Sequence, residues 1–452
     1  MADKGMTLAI VLLVAGLIVG GGIGYFAAPT KTVTVTGSST TVIQTVTTVP
    51  LKGATVKLGF ISSTTTGLET SKPHMEQICF PDINKQYKAL GWGAPTFTVL
   101  MEDATGQANT HLEKVQGFKS MGVTIFQGGG WSSMAQASLS YCNTNGMLQW
   151  SSSSTSPTLE IANDNLFRLC PSDSSLAPAL ADMVWSYGVK SVIIIQRGDS
   201  WGDGVVNLFK PAWLAKGGVI AGEVVRYAAE ATDFSNYLQT ANGFAAAAIA
   251  ANGGNKEKVG VLVLSFEEFP VIASQAKDYA AIYDVPYFGG DGTALSQRAM
   301  DDAPTQVNHM RVFSLQAKDP GSSLFYALRD RYQALTKQQY SAYTAYAYDI
   351  EFMIAESIIA AQSSSGKDVI PLQMGIALQT WGAGGWCQLN LYGDRAPPLF
   401  NVWFYAPGKE PGTGLDKPCI SHVGGVYNPD TKVMTWDTGA LQAALGYVPK
   451  GP

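Results

Sequence analysis

Charge is scarce in this sequence: Asp, Glu, Lys and Arg together make up 14% of it, well below the roughly 25% of ordinary globular domains. The net charge of −5 comes without a basic cluster, which excludes nucleic acid as an expected partner. Histidine is rarer still. His74, His111, His309 and His422 lie far apart with no HxxxH or HExxH spacing, so no metal site is expected. No GxSxG elbow, Walker A loop or dinucleotide GxGxxG stands in a strand-to-helix context, and GGGIG near residue 20 lies in an apolar segment. The acid pairs Glu102/Asp103 and Glu267/Glu268 occupy adjacent positions, which on a strand point to opposite faces. They read as loop or surface acids rather than paired catalytic carboxylates. No enzyme and no cofactor is therefore expected.

What is present points outside the cytosol. The chain has 452 residues and is 46% hydrophobic, enough for two lobes plus extra segments. With so little charge, its surface has to be covered largely by Ser, Thr, Gly, Asn and Tyr. From Met6 to Ala28 runs MTLAIVLLVAGLIVGGGIGYFAA, free of charge. At about 1.5 Å per residue this is long enough to cross a hydrocarbon core of about 30 Å. Lys4 precedes it, consistent with an N-in orientation. Residues 1–28 are expected to be a signal or membrane anchor, with the anchor favoured by the length of the run. Lys4-Gly5 also resembles the archaeal pilin-like signal, cleaved before Met6. Residues 29–52, rich in Thr, Ser and Val, read as an extended stalk.

The run WSSSSTSP (150–157) has a linker's composition. Its position contradicts that. From Val56 onward, short apolar strands alternate with helical segments: VKLGFISS, then 70–91; TFTVLMEDA, then 107–121; VTIFQGGG, then WSSMAQASLSYCNTNG; MLQW, then the serines. KSVIIIQ, GEVVRYAA, VGVLVLS and VPYFGGD continue the pattern. Strands joined by helices imply right-handed crossovers and doubly wound parallel sheets. There are too many strands for one sheet, so the fold class is α/β with two such lobes. Ligands in these sheets bind beyond the carboxyl ends of the strands, where Ser151–Ser156 sits. GGGWSS (128–133), QRGDSWGDG (196–204) and FGGDGT (288–293) sit at other strand ends. They bring exposed helix amides, the aromatic Trp201 and the acid Asp291. Singly, each reads as a helix cap, a packing residue or a turn. Together they outline a cleft for a small zwitterion.

The stretch 151–238 resembles the middle of the branched-chain-amino-acid-type solute-binding proteins of ABC transporters. SSSSTSP, FRLCPSD, GDSWGDG and DFSNYL carry the likeness, and LNLYGDRAPPLFNVWFY (389–405) is similar to a later family segment with its GDR. The resemblance covers roughly Val56 to Tyr405. It implies a type 1 periplasmic-binding-protein fold, two lobes joined by three crossover strands with the ligand between them. Residues 53–171 with 319–388 would form one lobe, and 172–318 with 389–452 the other. It also implies roles. Ser153, Ser154 and Thr155 would hold an α-carboxylate and its amino group, and Trp131, Ser132 and Ser133 would also touch the carboxylate. Asp291 would answer an ammonium, Trp201 would cover the ligand, and Phe266 would line the site. Five cysteines are spread along the chain. Cys387 and Cys419, flanking the late strand pair, form the preferred disulfide outside the cell; Cys79 with Cys142 is another pairing.

The expected function is that of a receptor at the cell surface, tethered to the membrane by its N-terminal helix. It would capture an amino acid or a related small polar solute and deliver it to an ABC permease. The alternative is a structural surface protein that has kept the fold and assembles through its stalk or membrane segment.

Overall fold

Two sheets organise the chain. The structure is a computed structural model that describes residues 30–37, 40–47, 51–91, 93–410 and 414–451. The expected anchor, residues 1–28, lies outside the described residues. Among the described residues no helix is long and apolar enough to cross a membrane.

The segment expected to run as an extended stalk pairs with itself. β1 (Thr30–Gly37) and β2 (Thr40–Thr47) form an antiparallel hairpin with Thr30 opposite Thr47. Its threonines and valines are β-branched and favour a pleated strand over a solvated coil.

The first lobe is built on β3 (Thr55–Ser62), β4 (Thr96–Asp103), β5 (Ile125–Gln127), β6 (Leu148–Ser151) and β7 (Leu166–Pro171), all paired in parallel. The second is built on β8 (Ser191–Gly198), β9 (Val219–Ile220), β10 (Val225–Ala228), β11 (Val259–Leu264), β12 (Tyr287–Gly289) and β13 (Val312–Ala317), also parallel. β11 reads VGVLVL and is buried at every position, as a strand covered by helices on both faces must be. Each lobe has its own apolar core. The first gathers Leu58, Trp150, Leu169 and the helix Ala342–Ala361. The second sheet has a core on each face, one around Val261 and Tyr287, the other around Ile194, Phe209 and Phe313.

Local signals set the helix ends. Asp199 accepts hydrogen bonds from the Trp201 and Gly202 amides and starts the helix Ser200–Ala215, satisfying donors that a helix start leaves open. Gly146, left-handed at φ 60°, stops the helix Ser132–Asn145 at a conformation glycine reaches without strain.

The chain passes between the sheets three times: after Pro171, after Ala317 and after Arg395. The last passage differs from expectation. Short strands β14 (Trp381–Gly382) and β15 (Gly385–Trp386) form a surface hairpin, and β16 (Asp394–Arg395) pairs with β7 of the first lobe. The 389–452 segment therefore begins in the first lobe and crosses only afterwards. β17 (Phe400–Lys409), β18 (Asp416–Asn428) and β19 (Val433–Trp436) then extend the second sheet by three antiparallel strands. The Gly- and Pro-rich tail is part of this lobe's sheet.

The expected Cys387–Cys419 bridge is not formed. All five cysteines are buried and free. Cys387 belongs to the first lobe's core and Cys419, on β18, to the second lobe's core. A short bond cannot join thiols held in separate cores.

Candidate functional site

The carboxyl ends of both sheets face one another across an open cleft of about 430 Å³. Trp131, Gly130 and Ser153 line it from the first lobe, with Thr66, Gly67, Glu69 and Thr70 from the start of the helix after β3. Phe266, Glu267, Asp291, Ser296, Arg298 and Asp301 line it from the second, and Tyr343 from the helix Ala342–Ala361. A smaller recess of about 200 Å³ continues from Gly130, Ser153 and Glu267 to Gln127 and Ser62.

The serine run is a built loop. Arg168 on β7 sends its Nη1 to the carbonyls of Ser154 and Ser156, both at 2.8 Å. Its other nitrogens form a two-pronged pair with Asp394, at 2.5 and 2.6 Å. Ser154 is fully buried and bonds the Gly129 carbonyl. The Ser132 hydroxyl accepts the Ser156 amide at 3.1 Å. Ser153 donates to the Gly130 carbonyl at 2.9 Å. Space is tight at Gly130, where a Cβ would lie 2.5 Å from Ser63 Oγ and 3.2 Å from Ser153 Oγ, so those side chains would have to shift.

Of the residues expected to meet the ligand, Trp131, Ser153, Phe266 and Asp291 line the cleft. Ser132, Ser154 and Thr155 are buried in the wall behind them, and Ser133 lies in the first turn of its helix. Trp201 is 1% exposed and does not form the surface. Phe266 stands in front of it, stacked on Trp201 with ring centroids 4.4 Å apart and on Trp131 at 4.8 Å. The aromatic cover is thus a three-ring stack across the lobes, with Phe266 at its middle. Arg197 lies over Trp131 at 4.9 Å, its charge answered by Asp199 and Glu268.

Asp291 is the acid at the cleft wall. It is 8% exposed; Tyr343 donates to its Oδ2 at 2.8 Å and Thr155 at 3.5 Å, while Oδ1 has no partner. Burial pushes its carboxyl up to about 6. Behind it lies Asp173, fully buried, with neither oxygen hydrogen-bonded. Burial first, and the neighbouring Asp291 charge second, hold Asp173 well above the usual carboxylate range. Two buried acids this close cannot both ionise readily without a cation.

The sequence reading missed Asp173, Tyr343, Arg168 with Asp394, and above all Glu267. Glu267 is no bland surface acid. It reaches across the cleft to the hydroxyls of Thr64 (2.6 Å) and Thr66 (3.0 Å) in the other lobe. Its place directly after Phe266 at a strand end was the available signal. Among the described residues, no group of His, Cys, Asp and Glu could hold a metal ion.

Two parallel-sheet lobes with a polar, aromatic-lined cleft at their carboxyl ends define a cleft-type binding protein. The model of the receptor family ligand binding region matches residues 81–408, well over half of the chain, and the chain belongs to that family. Its fold is that of the type 1 periplasmic binding proteins. It is similar to the leucine-binding protein LivK of Thermotoga maritima, with a TM-score of 0.65 and 17% identity over 83% of this chain and 99% of that one. It is also similar to LivJ of Streptococcus pneumoniae in complex with isoleucine, with a TM-score of 0.63 and 16% identity over 82% and 99%. A solute-binding protein of R. palustris in complex with benzoate gives a TM-score of 0.59 and 16% identity over 82% and 98%. In sequence, it is 28% identical over 268 residues to an uncharacterized protein of Methanocaldococcus jannaschii. That match covers 57% of this chain and 62% of the other, so it spans less than two thirds of that relative's length.

Proposed function

We propose that the protein is an extracytoplasmic solute-binding receptor. It captures an amino acid or related small polar solute by lobe closure and delivers it to an ABC permease, held at the membrane by residues 1–28. One observation carries this reading: Asp291, nine-tenths buried with Oδ1 unpartnered, faces the same cleft as the Gly130–Trp131 turn and Ser153 of the opposite lobe. An acid on one wall and backbone amides with a hydroxyl on the other suit an ammonium and a carboxylate on one small molecule. Relatives of the same fold that hold isoleucine and benzoate support a small acid or amino acid as the solute class. No step of chemistry is asked of any side chain; closure about the cleft is a shift of population.

Ligand-induced thermal shift tests this. A panel of amino acids, amides, short peptides and aromatic acids should contain stabilising members, and Asp291→Ala should remove the shift. If no member stabilises the wild type, the receptor reading fails. The alternative, a surface protein without transport, is favoured by the Trp131–Phe266–Trp201 stack, which already fills the space between the two indoles.

A further inference from the structure

We propose that the cleft selects a solute with a second positive charge, a basic amino acid rather than a neutral one; this rests on the receptor reading above and names its substrate class. The charge of the lining is one-sided. Glu69, Glu267, Asp291 and Asp301 face the cleft against a single cation, Arg298, which is already paired with Asp302 at 3.2 Å. Glu69 and Asp301 are exposed and alone would be a solvated rim. Asp291 is different. It is nine-tenths buried, lines the cleft, and keeps Oδ1 without a partner, a state whose cost falls when a cation arrives. An α-ammonium answers Asp291 and leaves Glu267 over. Glu267 is held in place by Thr64 and Thr66, two neutral hydroxyls that orient its carboxylate without neutralising it. It lines both the cleft and the recess beyond it, so it stands where a side chain would extend from the first subsite. A carboxylate, an α-ammonium and a terminal ammonium or guanidinium on an aliphatic chain satisfy all of these groups.

The test is calorimetric titration of the full chain with lysine, ornithine and arginine against their neutral counterparts norleucine and citrulline. The basic set is expected to bind at least ~10-fold more tightly, a difference of about 1.4 kcal/mol. Glu267→Gln keeps an acceptor for one of the two threonines, can donate its NH2 to the hydroxyl oxygen of the other, and removes the charge. Within that variant the basic set should fall to the affinity of its neutral counterparts, erasing the preference. Asp291→Asn should weaken both sets alike. Neutral counterparts that bind as tightly as the basic ones overturn this inference and leave the receptor reading standing. A wild-type chain that binds neither set also overturns this inference, and the receptor reading then falls only if the broader thermal-shift panel is silent as well. The wild-type comparison needs no variant, so a poorly folding substitution does not decide it.

Discussion

Arg168 and Asp394 meet as a fully buried, two-pronged ion pair, the guanidinium spending its remaining nitrogen on the Ser154 and Ser156 carbonyls. The pair joins β7 to β16 and clamps the serine loop from behind, so that the loop's carbonyls face inward and Ser153 faces the cleft. Removing one partner leaves the other charge buried without its answer, which costs about 3–5 kcal/mol. Arg168→Ala and Asp394→Ala are expected to lose stability in that range by urea denaturation. The double variant should lose much less than their sum, because the second change removes an orphaned charge rather than a bond. Additive losses would show that the two residues act separately.

That pair also marks where the sequence stops being readable. FRLC and GDR were both visible as motifs, yet they are 226 residues apart, and no periodicity reports a contact of that range. The lobes were legible because a buried parallel strand writes itself as a short apolar run, as in β8 and β11. The strand ends pointed to Trp131, Ser153 and Asp291, and the resemblance to Phe266; all four line the cleft. Which aromatic faces the cleft was not legible. The resemblance gives the covering place to Trp201, but Gly292, whose Cβ would come within 2.7 Å of the Phe266 ring, lets Phe266 settle in front of it. The role of Glu267 depends on two threonines of the other lobe, a pairing that exists only once the lobes face each other.

The Trp131–Phe266 contact crosses the cleft, as do the Glu267 bonds to Thr64 and Thr66. These contacts bias the lobes toward each other, and a stacked aromatic pair is worth about 0.5–1.5 kcal/mol beyond its buried area. Phe266→Ala should therefore move the population toward an open form. Small-angle scattering should show a larger radius of gyration, and tryptophan emission should shift red as Trp131 loses its cover. An unchanged radius of gyration would mean that other contacts set the closure.

The cysteines give a chemical check on the lobe cores. All five are free and buried, and burial pushes the Cys142, Cys387 and Cys419 thiols up to about 12. Such thiols are protonated at neutral pH and react slowly. A thiol reagent should titrate five groups in denaturant and close to none in the native protein, and a reductant should leave the melting temperature unchanged. A count of three in denaturant without reductant would reveal a disulfide.

Buried acids set the direction of the pH dependence. Burial raises Asp164 and Asp291 to about 6, Asp349 to about 7 and Glu351 to about 8. A raised carboxylate binds its proton more tightly in the folded protein than in the unfolded chain. The stability it contributes is complete below the unfolded values of 3.8 and 4.5 and is lost as pH rises through the folded ones. From these groups the protein should lose stability between about pH 4 and 8. Glu351 offers the cleanest test. It accepts from Gln127 Nε2 at 2.8 Å through Oε1, while Oε2 has no partner. Glu351→Gln keeps the acceptor and removes the ionisation. At about 1.4 kcal/mol per pKa unit, the variant should be on the order of 2 kcal/mol or more above the wild type at pH 9 and close to it at pH 5, by denaturant titration. A difference that does not change with pH would mean that Glu351 keeps one ionisation state throughout.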